Sequence, residues 1–217
     1  MTTTSIVLAG GRSSRLGREK HLEKLAGKSL IELVISHLSS LSTEILLVIS
    51  RKQARILAKS YTHPEAKTVV DLYPGKGSLG GIYTGLVHSN SFHNLVVGCD
   101  MPFLNPALLR YMIGLSPGFD VVIPRMGDNI EPLHAIYSKN CARPIEEQLK
   151  RDNLKIAGFF DAVKVKYIEK EEIERFDPEH LSFFNVNTEA DLEKARILAE
   201  RGSQEAEAMN KQVRNKG

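Results

Sequence analysis

Three segments of this 217-residue chain combine residue types that bind phosphate or a hard cation. The first runs from Leu8, Ala9, Gly10 and Gly11 through Arg15 to Lys20 and follows an aliphatic run. It is neither a Walker loop nor a GxGxxG fingerprint. Gly10 and Gly11 allow the backbone to turn and approach a ligand closely, so that successive N–H groups can face phosphate oxygens. Lys20 suits a point charge on those oxygens, whereas Arg15 either forks onto two of them or pairs with a surface carboxylate. A glycine pair alone reads better as a plain loop, but two cations beside it at the carboxyl end of a strand favour phosphate binding.

The second segment, Asp71 to Gly81, holds four glycines in eleven residues. If a helix begins near Leu79, then Gly80, Gly81 and Gly85 lie within it at a cost of up to about 1 kcal/mol each relative to alanine. Close approach of a ligand or of another backbone is the usual compensation. Asp71 opens the segment, either to contact a ligand or to cap a turn. The third segment places Cys99, Asp100, Met101 and Pro102 at the exit of the apolar run Leu95 to Gly98. A carboxylate emerging there loses hydration unless paired, and Mg2+ bridging it to substrate phosphates supplies a partner. The plainer alternative makes Asp100 a turn residue before Pro102. Cys99 reads as a small core residue, with no base spaced to activate it.

Two later clusters are less decisive. Asn185 and Asn187 alternate onto one face of an expected strand, where they either hydrogen-bond a polar heterocycle or end the strand and cap the next helix at Thr188. His134, within Glu131–Ala135, has no metal-ligand spacing to another histidine and reads as structural.

Short β-branched or aliphatic runs must position these segments: Ile6–Ala9, Ile45–Ile49, Thr68–Val70, Leu95–Val97 and Val121–Ile123, each followed by a loop and an amphipathic stretch. Unbroken apolar runs suit strands buried on both faces, which predicts an α/β fold with a central, mostly parallel sheet and helices on both sides. Ser29 and Glu32 form a capping box ahead of the stripe Leu30, Val34, Leu38 and Leu41. Further helices are predicted near Leu79, Asn105, Ala142 and Thr188, the last with a second box at Thr188 and Asp191.

Length and composition fit one domain, residues 1–201, followed by a charged tail, 202–217, that is expected to be disordered. The 29 basic and 26 acidic residues leave a net charge of +3 without a dense basic block, which disfavours a nucleic-acid polymer and suits a small anionic ligand. Two separated cysteines signal neither disulfides nor zinc, and no apolar stretch reaches the length of a membrane span, so a cytoplasmic location is expected.

Taken together, these segments resemble the molybdenum cofactor guanylyltransferase family, within the nucleotidyltransferases that share a Rossmann-like, three-layer, glycosyltransferase-A-type fold. The resemblance runs from about Ile6 to Leu192, and its most specific element is Leu8, Ala9, Gly10, Gly11 with Ser13, Arg15, Gly17 and Lys20. Related sugar-phosphate, isoprenoid and cytidylyl enzymes usually show Ala-Ala-Gly there. The resemblance implies that Leu8 to Gly11 and Lys20 bind GTP, that Asp71 contacts the nucleotide, that Asp100 binds GTP and Mg2+, and that Asn185 and Asn187 lie toward molybdopterin. Asp100, Lys20 and Arg15 would then serve the chemistry. Family members more often carry aspartate and proline where this chain has Glu19 and Ser78, departures that keep the charge and the turn.

The implied substrates are GTP and Mo-molybdopterin, with cofactor-insertion or molybdoenzyme assembly proteins as further partners and no membrane. The rival on the same fold is a cytidylyl or sugar-phosphate enzyme. The rival of another class is a non-catalytic nucleotide-binding assembly protein, which would have little use for Asp100.

Overall fold

The structure is a computed structural model, and it describes residues 2–9, 23–54 and 64–214. The elements, in chain order, begin with β1 (Thr4–Leu8), a small hairpin of β2 (Lys24–Leu25) and β3 (Lys28–Ser29), and helix α1 (Leu30–Leu38). Next come β4 (Glu44–Ile49), β5 (Lys67–Val70), α2 (Gly77–His88), β6 (His93–Gly98) and α3 (Pro106–Leu115). The second half holds β7 (Val121–Met126), β8 (Asn129–Ile130), β9 (His134–Ser138), α4 (Ala142–Lys150), β10 (Val165–Ile168), α5 (Lys170–Glu174) and α6 (Glu189–Arg214).

The main sheet has the order β10-β7-β9-β6-β1-β4-β5, with β8 paired to β7. The β1–β4, β1–β6, β4–β5 and β7–β10 pairs are parallel, and only β9, between β6 and β7, and the short β8 run antiparallel. Because neighbouring side chains alternate across a sheet, its two faces carry separate cores. Val7, Leu47, Leu95 and Val97 pack with Ile31, Val34 and Ile35 of α1 and Leu108 and Met112 of α3. Ile6, Leu46, Val48 and Val96 pack on the other face with Leu79, Ile82 and Leu86 of α2 and Ile145 and Leu149 of α4. This is the three-layer arrangement that the apolar runs predict.

Local signals fix several boundaries. The Ser29 hydroxyl accepts the Glu32 N–H while the Glu32 carboxylate accepts Ser29 N–H at 2.6 Å, so the first capping box forms as read. Thr188 and Asp191 make the same reciprocal pair ahead of α6. Asn105 caps α3 by accepting from Ala107 and Leu108 N–H, with Pro106 at the first helical position, where its missing N–H is harmless.

Two expectations differ. Residues 202–214, set apart by composition as an irregular tail, continue α6 to Arg214. Alanine, glutamate, glutamine, lysine and methionine all favour a helix, and a lack of apolar periodicity argues against a buried face rather than against helical backbone. The segment around Asn185 and Asn187 pairs with no strand among the described residues and runs as a connection between the short 3-10 turn Leu181–Phe183 and α6. Strand β9 went unread because its five residues, including a histidine and two hydroxyl-bearing side chains, are all buried and show no alternation.

Candidate active site

Successive strands β1, β4 and β5 build outward on one side of β1, and the chain then returns to place β6 on the other side. The carboxyl ends of β1 and β6 therefore flank a topological switch point, where an open α/β sheet leaves a crevice for a ligand.

At the end of β1 the backbone is held from both sides. Cys99 N–H donates to Leu8 O at 3.1 Å, and Ala9 N–H donates to Val48 O at 2.9 Å. The Ala9 carbonyl accepts from Gln53 Nε2 at 2.7 Å. Gln53 is 6% exposed, and its carboxamide oxygen accepts from Ser50 N–H and the Ser50 hydroxyl, both at 2.9 Å. With the oxygen committed to that cap, the amide nitrogen must face Ala9. Gln53 was missed in the sequence, although Ser50 and Gln53 have capping-box spacing that marks it. The remaining loop candidates, Gly10, Gly11, Arg15 and Lys20, lie outside the described residues.

Asp100 follows β6 and is half-buried. An ideal Cβ added to Gly98 would collide with Asp100 Oδ1, so the carboxylate folds back over the backbone of Gly98. The backbone beyond is tied down as well: Val186 N–H donates to Asp100 O at 2.9 Å, and His37 Nε2 lies 3.2 Å from Pro102 O. The first of these bonds brings the Asn185–Asn187 segment to the backbone of Asp100. Asn185 is half-buried and donates through Nδ2 to Phe183 O at 2.9 Å, whereas Asn187 is exposed and its N–H donates to Asp191 Oδ2 at 3.0 Å.

Asp71 leaves β5, two strands from β1, and its N–H continues the ladder to Ile49 O at 2.8 Å. Its Oδ1 accepts from Tyr73 N–H at 2.9 Å and from the Thr84 hydroxyl at 3.1 Å. The turn-capping alternative for Asp71 is thus realised through one oxygen, and Oδ2 accepts no hydrogen bond from the described residues.

The glycines after Asp71 divide into two groups. Gly75 and Gly77 have φ of +85° and +60°, which L side chains adopt at a cost, and they turn the chain into α2. Gly80, Gly81 and Gly85 instead let α2 lie close to its neighbours: added Cβ atoms would stand 2.9 Å from Tyr73 O, 3.1 Å from Leu8 Cδ2 and 2.7 Å from Ile6 Cδ1, respectively. Protein atoms, not a ligand, compensate their helical penalty.

His134 is wholly buried, stacks edge-on against Phe183 with ring centroids 4.8 Å apart, and has no hydrogen-bond partner at either ring nitrogen among the described residues. Burial lowers its pKa to about 3, so the imidazole stays neutral near pH 7. It sits in the core, as a structural histidine would, but without the hydrogen bonds expected of a satisfied one. Cys99 and Cys141 are both buried, and neither forms a disulfide.

Among the described residues no three His, Cys, Asp or Glu side chains gather to hold a metal ion, and no helix is long and apolar enough to cross a membrane. A cation here would rest on one or two carboxylates, with phosphates and water completing its shell. Mg2+ is commonly bound in this way, and Asp100 fits it.

A mostly parallel sheet with a switch point between β1 and β6 and a carboxylate at the exit of β6 is the arrangement of α/β nucleotide-binding folds. The chain matches the family model described as the MobA-like NTP transferase domain over residues 5–162. It is 38% identical to a protein of Pelotomaculum thermopropionicum named "Probable molybdenum cofactor guanylyltransferase", across 92% of this chain and 95% of that one. It is 32% identical to the "Molybdenum cofactor guanylyltransferase" of Desulfosudis oleivorans, across 92% and 96%. The crystal structure of "Molybdopterin-guanine dinucleotide biosynthesis protein A" from Archaeoglobus fulgidus superposes with a TM-score of 0.79 at 34% identity, covering 92% of this chain and all of that one. The chain belongs to the MobA-like NTP transferase family, and it is a nucleotidyltransferase.

Proposed function

We propose that this enzyme transfers GMP from GTP to the terminal phosphate of Mo-molybdopterin, forming the guanine dinucleotide cofactor and pyrophosphate with the help of Mg2+. The observation that carries the reading is the emergence of Asp100 and of the Leu8–Ala9 loop entry from adjacent parallel strands, joined by the Cys99 N–Leu8 O bond. The names of the family relatives supply the nucleotide and the acceptor.

In this reaction an oxygen of the acceptor phosphate attacks the α-phosphorus of GTP. The bond from that phosphorus to the oxygen bridging to the β-phosphate breaks, and pyrophosphate leaves with the electron pair. A phosphate monoester has a second pKa near about 6, so the nucleophile is already ionised near neutrality and no general base is needed. His134, neutral and sealed in the core, is accordingly no candidate base.

What the chain contributes is alignment and charge compensation. The Leu8–Gly11 backbone and Lys20 take the nucleotide phosphates, and Arg15 adds a second cation beside them. Asp71 contacts the nucleotide, Asp100 anchors the metal, and Asn185 and Asn187 face the acceptor. Mg2+, when bound, neutralises charge on the phosphate oxygens.

Asp100→Ala is expected to lower turnover by about a hundredfold or more, the scale at which a single group stabilises developing charge. Mg2+-dependent pyrophosphate release at the wild-type rate would exclude Asp100 as the anchor. Lys20→Ala is expected to weaken GTP binding by about tenfold, as for loss of one charge-assisted contact. Unchanged affinity in calorimetry would exclude that role.

A further inference from the structure

Thr84 occupies the middle of α2, is wholly buried, and belongs to no recognised motif of the chain. Its hydroxyl oxygen accepts Leu72 N–H at 3.0 Å, and its proton faces two acceptors, Gly80 O at 2.8 Å and Asp71 Oδ1 at 3.1 Å. A threonine hydroxyl inside a helix ordinarily bonds back to the carbonyl four residues earlier and does nothing more. Here the same oxygen is also held by the N–H of Leu72, and its single proton is shared between Gly80 O and the Asp71 carboxylate. Tyr73 N–H reaches the same carboxylate oxygen at 2.9 Å.

Two donors therefore converge on Oδ1 while Oδ2 has none among the described residues. A carboxylate oxygen offers about two lone-pair directions, so Oδ1 is filled and the orientation of the group is set. The close approach of Gly80 to Tyr73 O, which only glycine permits at that distance, holds α2 and the Asp71–Tyr73 turn in this register.

We infer that Thr84 is a positioning residue for the nucleotide: it fixes Asp71 as a one-oxygen acceptor, so that Asp71 meets a single O–H or N–H donor of GTP and does not grip a pair of donors with both oxygens. The inference rests on the reading that Asp71 contacts the nucleotide. Thr84 itself touches no substrate and acts only through the orientation of that carboxylate.

The test is GTP binding by calorimetry, with Mg2+, to the full chain carrying Thr84→Val, Thr84→Ser, Asp71→Ala, Asp71→Asn or the Thr84→Val/Asp71→Ala pair. Thr84→Val is expected to weaken binding by about tenfold, the scale of one hydrogen bond to a charged group, while Thr84→Ser stays within about twofold of wild type. In the double variant, Thr84→Val should add nothing to the loss from Asp71→Ala, since its effect passes through that side chain. Wild-type affinity in a folded Thr84→Val protein, or losses that simply add in the double variant, would overturn the role of Thr84. Unchanged affinity in Asp71→Ala would instead remove the Asp71 contact itself.

Asp71→Asn keeps the chain testable even if Thr84→Val does not fold. Its amide oxygen can take both donors at the Oδ1 position, which leaves an NH2 group, a donor, where Oδ2 accepted. Binding should fall as far as in Asp71→Ala. Wild-type binding by Asp71→Asn would contradict the one-oxygen acceptor.

Discussion

His134 shows how a residue with chemical potential can be spent on structure. Its imidazole is fully buried with both nitrogens unpartnered among the described residues, and burial holds its pKa at about 3 against an ordinary value of 6.5. The folded state thus binds no proton there over a range in which the unfolded state does. Stability contributed by neutral His134 is present above pH 6.5 and is lost as pH falls from 6.5 toward about 3. Between neutrality and pH 5.5 the loss from this one group is about 1.4 kcal/mol. His134→Leu should therefore unfold with a shallower acid dependence in urea titrations at pH 7.5 and 5.5. His37, whose pKa burial also lowers, contributes equally to both proteins and drops out of the comparison. Parallel acid dependence in the two would show that His134 is hydrated or partnered in solution. At this scale the sequence identified Asp71 and Asp100 as unusual from their places at strand exits. It left Thr84 and Gln53 unread, because their meaning lies in partners 13 and 44 residues away.

Helix α2 carries the clearest lesson at the scale of elements. The sequence left open whether its glycines meet a ligand or another backbone; Gly80 makes room for Tyr73 of the preceding turn, and Gly81 and Gly85 make room for Leu8 and Ile6 of β1. Glycine enrichment announces close approach without naming what approaches. A Cβ at Gly85 would stand 2.7 and 2.9 Å from Ile6 Cδ1 and Cγ1, buried carbons of β1 that cannot withdraw freely. Gly85→Ala is expected to destabilise the fold by about 1–3 kcal/mol despite the better helix propensity of alanine. Gly114, in α3, has nothing within 4 Å of an added Cβ, and Gly114→Ala is expected to stabilise by up to about 1 kcal/mol. Urea midpoints of the two variants should move in opposite directions, and equal shifts would contradict the packing account. Elements with local signals were legible: both capping boxes, and the parallel strands with apolar runs on either side. β9 and the Asn185–Asn187 connection were not, since one is a buried strand without alternation and the other takes its path from Val186 bonding to Asp100 O.

For the whole molecule, the pattern of βα units foretold a three-layer sheet, and strand order then explains why the informative segments belong together. Asp71, Asp100 and the Leu8–Ala9 exit lie 62 and 29 residues apart along the chain, yet β5, β4, β1 and β6 are consecutive in the sheet. A modest net charge of +3 without a basic block suits a nucleotide and a phosphorylated acceptor rather than a polymer. Nucleobase choice is the property that separates this enzyme from cytidylyl relatives on the same fold. The decisive measurement is turnover of the purified chain with Mg2+, metal-loaded molybdopterin and, separately, GTP, CTP, ATP and UTP, following both pyrophosphate and the dinucleotide. The account predicts pyrophosphate and molybdopterin guanine dinucleotide with GTP alone; equal or faster turnover with CTP, or nucleotide binding without any dinucleotide, would contradict it.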